Sequence, residues 1–251
     1  MKASATTNTV MSKNFSHLAR NLFTAALLTL VAGCSMNRTI AGPAQTDTKT
    51  IEANGASSAR VEVNLGAGEL KLSGSASELA QAEFIYNISG WKPTVNYSVS
   101  ESRGTLIISQ PNSTAVLPQN IRYEWNVKLN NDIPIDLKIN MGAGTGDLDL
   151  SGLNLSSADI SGGVGKLQLD LSGAWAKPAH INIKGGVGKV SLRLPKDVGV
   201  RVKATAGLGR VTANGLSKDG DTYVNPAYGK ATVNLDITIS AGVGEITLDV
   251  E

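Results

Sequence analysis

Six times along the chain, a run of alternating apolar and polar residues leads into Gly-x-Gly and a second alternating run leads out. The glycine pairs are Gly66 and Gly68, Gly144 and Gly146, Gly163 and Gly165, Gly186 and Gly188, Gly207 and Gly209, and Gly242 and Gly244. The apolar residues that follow include Leu70 and Leu72, Leu148 and Leu150, Leu167 and Leu169, Val190 and Leu192, and Ile246 and Leu248. Period-2 alternation places such residues on one face of a strand. Glycine at each corner permits positive backbone angles and close approach of neighbouring backbones. Each unit therefore predicts strand, tight corner, strand. From the second corner on, the spacing between second glycines is 19, 23, 21 and 35 residues. A repeat near 20 suits one coil of a β-solenoid. The expected fold is all-β, a parallel right-handed solenoid of Gly-x-Gly repeats. A Gly-rich β-sandwich is the alternative. Beyond the N-terminal segment only a turn at Ser75 to Ala82 has helical character.

The period breaks between about Gly74 and Pro134, and this stretch holds Phe84, Tyr86, Trp91, Tyr97, Tyr123 and Trp125. Runs such as Thr94–Val99 and Thr105–Ser109 alternate as strands do. An open solenoid end offers unpaired backbone groups, so an aromatic-rich β cap is expected here. These rings are expected in the core, with a sugar-stacking platform from Trp91 or Trp125 as the functional alternative. The last strand, Ile246–Glu251, shows no following cap. It is expected to form an exposed edge, protected by Glu245, Asp249 and Glu251, that could receive a partner strand or a second copy.

The N-terminal 33 residues have a different pattern. Lys2, Lys13 and Arg20 precede the apolar run Leu22–Val31, which ends in Leu30-Val31-Ala32-Gly33-Cys34. The run is too short to span a bilayer and fits a signal-peptide apolar region. The small residues before Cys34 resemble the lipobox of bacterial lipoproteins, which implies acylation of Cys34 and removal of the peptide before it. Ser35 stands where the inner-membrane retention signal would place Asp, so the resemblance implies the outer membrane in a host with two membranes. A start at Met11 would retain every element of this signal. The expected organisation is a lipoprotein signal over 1–33, a flexible tether over 34–50, an N-terminal β region over 51–134 and solenoid repeats over 135–251.

Charge and chemistry narrow the function. The chain has 23 Lys and Arg against 21 Asp and Glu, but three of the basic residues lie in the signal and none of the acidic ones do. Net charge thus gives no argument for nucleic acid or for an anionic membrane surface. A lone cysteine supplies neither a disulfide framework nor a thiolate metal site. His180 is the one histidine beyond the signal and lies in no nucleophile motif. Gly163-Val164-Gly165-Lys166 and Gly186-Val187-Gly188-Lys189 fail as phosphate loops. Ile160 and Ile183 occupy the first glycine's position, and Leu167 and Val190 follow the lysines where Ser or Thr is needed. Asp219-Gly220-Asp221 reads as a turn. Asp147 and Asp149 are the nearest pair of carboxylates, more simply solvent-facing residues of a strand. No catalytic residue, cofactor or metal is expected. The residues directly after the corners are Glu69, Asp147, Lys166, Lys189, Arg210 and Glu245. With coils stacked in chain order, Lys166, Lys189 and Arg210 would form a basic strip about 4.8 Å per rung, a candidate site for an anionic ligand.

The opening Val63–Leu70, the stretch with Trp91-Lys92-Pro93, Trp125 through Ile133–Leu137, Leu194–Val200 and the closing Ile239–Ile246 together resemble the toast-rack family of bacterial envelope proteins. That family is related to cell-wall-active antibiotic response proteins and to adhesins. The resemblance implies a solenoid in the cell envelope, with adhesion or stress sensing as its role, and supplies no catalytic residues. The expected protein is a non-enzymatic binding, adhesion or scaffolding module held to the membrane through Cys34. Envelope polysaccharide or a membrane protein is its expected partner. The alternative is an accessory sensor of envelope stress acting through a membrane partner.

Overall fold

The computed structural model describes residues 41–111 and 120–251. Its strands are β1 (Gln45–Ile51), β2 (Ser58–Ser73), β3 (Ala80–Tyr86), β4 (Thr94–Ser100), β5 (Arg103–Ser109), β6 (Tyr123–Leu129), β7 (Ile135–Asp149), β8 (Leu155–Asp170), β9 (Ala179–Leu194), β10 (Gly199–Asn214), β11 (Ser217–Asp219), β12 (Thr222–Val224) and β13 (Asn234–Val250). One 3-10 turn, Ser89–Trp91, is the helical element among the described residues. The turn expected at Ser75 to Ala82 is instead irregular chain running into β3. None of the described helices is long and apolar enough to cross a membrane.

Six strands are long, and each runs through a glycine corner as one strand, its ladder resuming in register after a single skipped pair. Before the corner of β2 the buried residues are Val61, Val63 and Leu65; after it they are Leu70 and Leu72. The alternation changes phase there, from odd positions to even. In a flat strand the two sets would face opposite sides. The bend at Gly68, with φ +146°, turns both sets inward. The same change recurs in β9, where Ile181 and Ile183 give way to Val190 and Leu192. Short connections return the chain to the next rung, and Leu150, Leu171 and Leu194 close the core on that side. Leu150 and Leu171 there donate backbone hydrogen bonds to Asp170 and Arg193. This is a parallel β-solenoid, as the glycine spacing predicts.

Its rungs run in the order β2-β7-β8-β9-β13-β10, all parallel. Two sequence expectations need correction. First, β13 lies between β9 and β10 rather than at the end of the stack, so the C-terminal strand is not an edge and is not open to self-association. The cause is visible in burial: Leu235, Ile237, Ile239, Ile246 and Leu248 are all buried, whereas Val211 and Ala213 of β10 are half-exposed. The more apolar strand takes the interior place. The short hairpin β11–β12 then covers β10 over Arg201–Lys203, leaving the rest of β10 as the open edge. Second, Gly144 aligns with Gly68 and Gly165, so the second corner is Gly142-Ala143-Gly144, two residues earlier than the pair Gly144 and Gly146.

At the other end β2 forks. Its first half pairs with β5 and its second half with β6, both parallel. β4 extends the first branch, and β3 and β1 extend the second. This is the aromatic cap. Phe84 and Trp125 meet edge to face with centroids 5.3 Å apart, and Tyr123 makes edge-to-face contacts with both Trp91 and Trp125. β1 corrects the expected tether over 34–50, because residues from Gln45 onward are held in the sheet. The strand is polar, with only Ile51 buried, so hydrophobic alternation gave no signal for it.

Candidate functional site

The glycine corners stack into a convex edge running the length of the solenoid. At its crest the middle residues of the corners pair in register: Ala67, Ala143, Val164, Val187, Val243 and Leu208. Val164 is 58% exposed, Val187 50%, Val243 44% and Leu208 72%. Among the described residues, Val99 is the one other large hydrophobic side chain so exposed. Only glycine fits on the inner side of this crest. A β-carbon on Gly165 would lie 1.9 Å from the Gly144 carbonyl oxygen, and one on Gly244 1.8 Å from that of Gly188. The bare glycines leave a void of about 20 Å³ beneath the corner, lined by Met141, Gly162, Gly185 and Ala241, enough for about one water.

The row after the crest reads Glu69, Thr145, Lys166, Lys189, Glu245, Arg210. The basic strip is therefore not continuous. Lys166 and Lys189 are neighbours, but Glu245 separates Lys189 from Arg210 and pairs with Lys189 at 3.4 Å. Asp147 lies three residues beyond the corner, beside Lys71 and Gln168. On the other flank Lys184 is exposed in the row three residues before the crest residue Val187. The edge keeps an excess of positive charge, from Lys166, Lys184, Lys189 and Arg210 against Glu69 and Glu245. The apolar crest itself was missed in the sequence, although an apolar x in four of the Gly-x-Gly motifs was its signal.

The remaining candidates have structural settings. Trp125 is 0% and Trp91 3% exposed, so neither offers a ring face to a sugar. Burial pushes the Tyr123 phenol well above its ordinary range, and its hydroxyl donates to the Trp91 carbonyl at 2.7 Å. His180 is exposed on β9 beside Ser157 and Asp236. Gly220 and Asp221 make the two-residue turn between β11 and β12, with Gly220 at φ +61°. Asp149 accepts hydrogen bonds from the amide and hydroxyl of Ser151, and Asp170 does the same for Ser172. Each carboxylate thereby fixes the turn that leaves its strand. Among the described residues no group of His, Cys, Asp and Glu could hold a metal ion. Cys34 lies outside the described residues.

Asp170 also carries a pH dependence. Desolvation pushes its carboxyl up, but hydrogen bonds from Ser172 and Arg193 outweigh that and hold it below its ordinary value of 3.8. Glu62, partnered by Asn64 and Lys138, is likewise held below 4.5 against desolvation. A carboxylate depressed by folding stabilises the protein above its unfolded value, and that contribution is lost as pH falls through the folded one. Urea titrations are expected to show a falling midpoint below about pH 4.5, and Asp170→Asn should flatten part of that fall.

A family description, the N-terminal domain of toast_rack, matches residues 40–193. A second, the C-terminal part of the cell wall-active antibiotics response protein LiaF, matches residues 151–248. A solved structure described as a "putative cell adhesion protein" from Clostridium sporogenes is similar to this chain at 40% identity and a TM-score of 0.81, covering 83% of this chain and 100% of its own. A "putative adhesin" from Bacteroides fragilis covers 82% of this chain and 96% of its own at 11% identity, with a TM-score of 0.33, too loose a superposition to carry any inference. No curated protein matches the chain.

Proposed function

The chain belongs to the toast_rack family, and from that premise we propose that it is a lipid-anchored protein of the bacterial cell envelope, working as a non-enzymatic binding, adhesion or scaffolding module. The observation that carries this reading is the likeness, over that protein's whole length, to a structure described as a "putative cell adhesion protein". The architecture suits the role. Six parallel rungs give a rigid face about 24 Å long, at roughly 4.8 Å per strand. The side chains that came nearest to a catalytic arrangement, Asp147, Asp149 and His180, are surface residues of strands and turns. The lipobox ending at Cys34 supplies the anchor in this reading, and Ser35 directs it to the outer membrane where the host has two.

The match to the LiaF description over residues 151–248 favours a second reading, an accessory sensor of envelope stress that works through a membrane partner. One experiment separates the two. The protein is crosslinked in its native cells and recovered with what it holds, with Cys34→Ser as the control. Polysaccharide, peptidoglycan-linked material or adhesive contacts in the wild-type sample support the binding module. A signalling or transport protein that depends on Cys34 replaces it with the sensor. Cys34→Ser is itself expected to move the protein from the membrane to the soluble fraction, since each buried acyl CH₂ contributes about 0.8 kcal/mol. A Cys34→Ser protein that stays with the membrane would overturn the anchor.

A further inference from the structure

We propose that the glycine-corner edge docks on the surface of an anionic lipid bilayer, with Val164, Val187, Val243 and Leu208 entering the headgroup region. The inference rests on the reading of Cys34 as a lipid anchor and adds which face of the solenoid the membrane meets.

Three independent observations converge on this edge. The first is its apolar crest. Those four residues occupy consecutive rungs, in register, at 44% to 72% exposure, on a convex ridge. A soluble surface scatters such residues singly, and a contiguous line of them marks an interaction site. A convex ridge has no groove for a peptide or a small molecule, but it can sink into a soft, flat surface. At Val164, Val187 and Val243 the backbone is paired to a neighbouring rung on both sides, which lowers the cost of immersion there, whereas Leu208 stands on the open edge of β10 and is paired to β13 alone.

The second is charge. Lys166, Lys189 and Arg210 flank the crest on one side and Lys184 on the other, against Glu245, which already pairs with Lys189. Apolar side chains with basic neighbours are the composition that binds the interface of anionic bilayers. The same charges oppose a second copy, because ridge against ridge would bring the basic flanks together.

The third is where the chain enters the fold. Gln45, the first residue of β1, pairs with Tyr86, Tyr86 pairs with Tyr123, and the Tyr123 carbonyl abuts Gly68 at the first corner. The row of corners therefore continues across the cap to the start of β1. Before β1, the Gly42 amide donates to the Asn87 carbonyl at 2.8 Å, next to Tyr86 on this same edge. Cys34 precedes Gly42 by eight residues, a reach of at most about 28 Å when fully extended. A chain anchored at Cys34 thus joins the fold on this edge rather than at the strand ends opposite.

The test uses the acylated full chain in vesicles of phosphatidylglycerol and phosphatidylethanolamine. With the Cys34 sulfur acylated, Val187→Cys carries the lone thiol and takes an environment-sensitive fluorophore; Lys177→Cys, on the connection after β8, is the control. The expected result is a blue shift and quenching by a lipid-borne quencher at position 187, about threefold or more above position 177. Adding Lys166→Glu and Lys184→Glu should lower the docked fraction at least about 10-fold while the protein still floats with the vesicles. A floating protein whose label at 187 stays in water overturns the docking and leaves the anchor standing. A chain that mass spectrometry finds unacylated in cells overturns the anchor and the docking with it. A blue shift that appears without vesicles and grows with protein concentration assigns the ridge to a second copy and overturns the membrane.

Discussion

Gly188→Ala is expected to destabilise the solenoid by about 3–5 kcal/mol, enough to leave much of the protein unfolded under mild conditions. Two costs combine. Gly188 has φ +140°, a backbone conformation that a side chain resists, and its added β-carbon would lie 1.8 Å from the Gly165 carbonyl oxygen. Relief by moving that carbonyl is blocked, because Gly165 is stacked in the same way on Gly144, and Gly144 on Gly68. Widening one gap would break ladder bonds on both arms of the corner. Gly220→Ala separates the two costs. That glycine has φ +61° with nothing within 4 Å of its would-be β-carbon, so it should lose only about 1–2 kcal/mol of backbone strain. Val187→Ala, beside Gly188 but exposed, should change stability by less than about 0.5 kcal/mol. Urea midpoints for the three variants check the ranking. Equal losses at Gly188 and Gly220 would mean that the carbonyl stack does not confine the corner.

The stacked glycines also explain which parts of the fold were legible in the sequence. Gly-x-Gly could be read because close packing of backbone on backbone demands it in every rung, and the burial phase follows from the same bend. The second corner was misread because Gly142-Ala143-Gly144-Thr145-Gly146 contains two overlapping frames. Only the neighbouring rungs, which set Gly144 opposite Gly68 and Gly165, decide between them. The order of rungs was invisible for a different reason. Strand pairing is a long-range choice, and nothing local in β13 states that its partners are β9 and β10. The 35-residue gap before it was the trace of that detour. β1 escaped notice because its hydrogen bonds hold it rather than its side chains. In the candidate site, Glu69, Lys166, Lys189, Arg210 and Glu245 do share one row, but Thr145 stands where Asp147 was expected, and the sequence along the row depends on the rung order. Hence Glu245 broke a strip that had looked continuous.

The detour that places β13 inside the stack turns on Asn225, and Asn225→Ala is expected to lose about 3–4 kcal/mol. After β12 the chain must turn back across the end of the solenoid before it can slot between β9 and β10. Asn225 begins that turn, buried, with every polar atom of its side chain used. Its Nδ2 donates to the carbonyls of Pro195 at 3.1 Å and Val198 at 2.7 Å, and its Oδ1 accepts from the Val200 amide at 2.9 Å. Its own amide donates to the Val200 carbonyl, and the Tyr228 amide closes the turn onto the Asn225 carbonyl. The side chain thus ties the β9–β10 connection to the segment that leads into β13. Alanine would strand a buried amide and two carbonyls, and their desolvation is the larger part of the loss. Asn225→Asp tests whether hydrogen bonding or mere volume matters. The aspartate has the same shape and keeps the acceptor for Val200, but when ionised it sets a negative charge against two carbonyl oxygens. It should be at least as damaging as alanine at pH 7. Its folded pKa would be raised, because only the protonated form can donate, so part of the loss should be recovered as pH falls, measured against the wild type at each pH. An aspartate variant as stable as the wild type at pH 7 would reduce Asn225 to a space-filling residue, and the route of the chain into the stack would then need another pin.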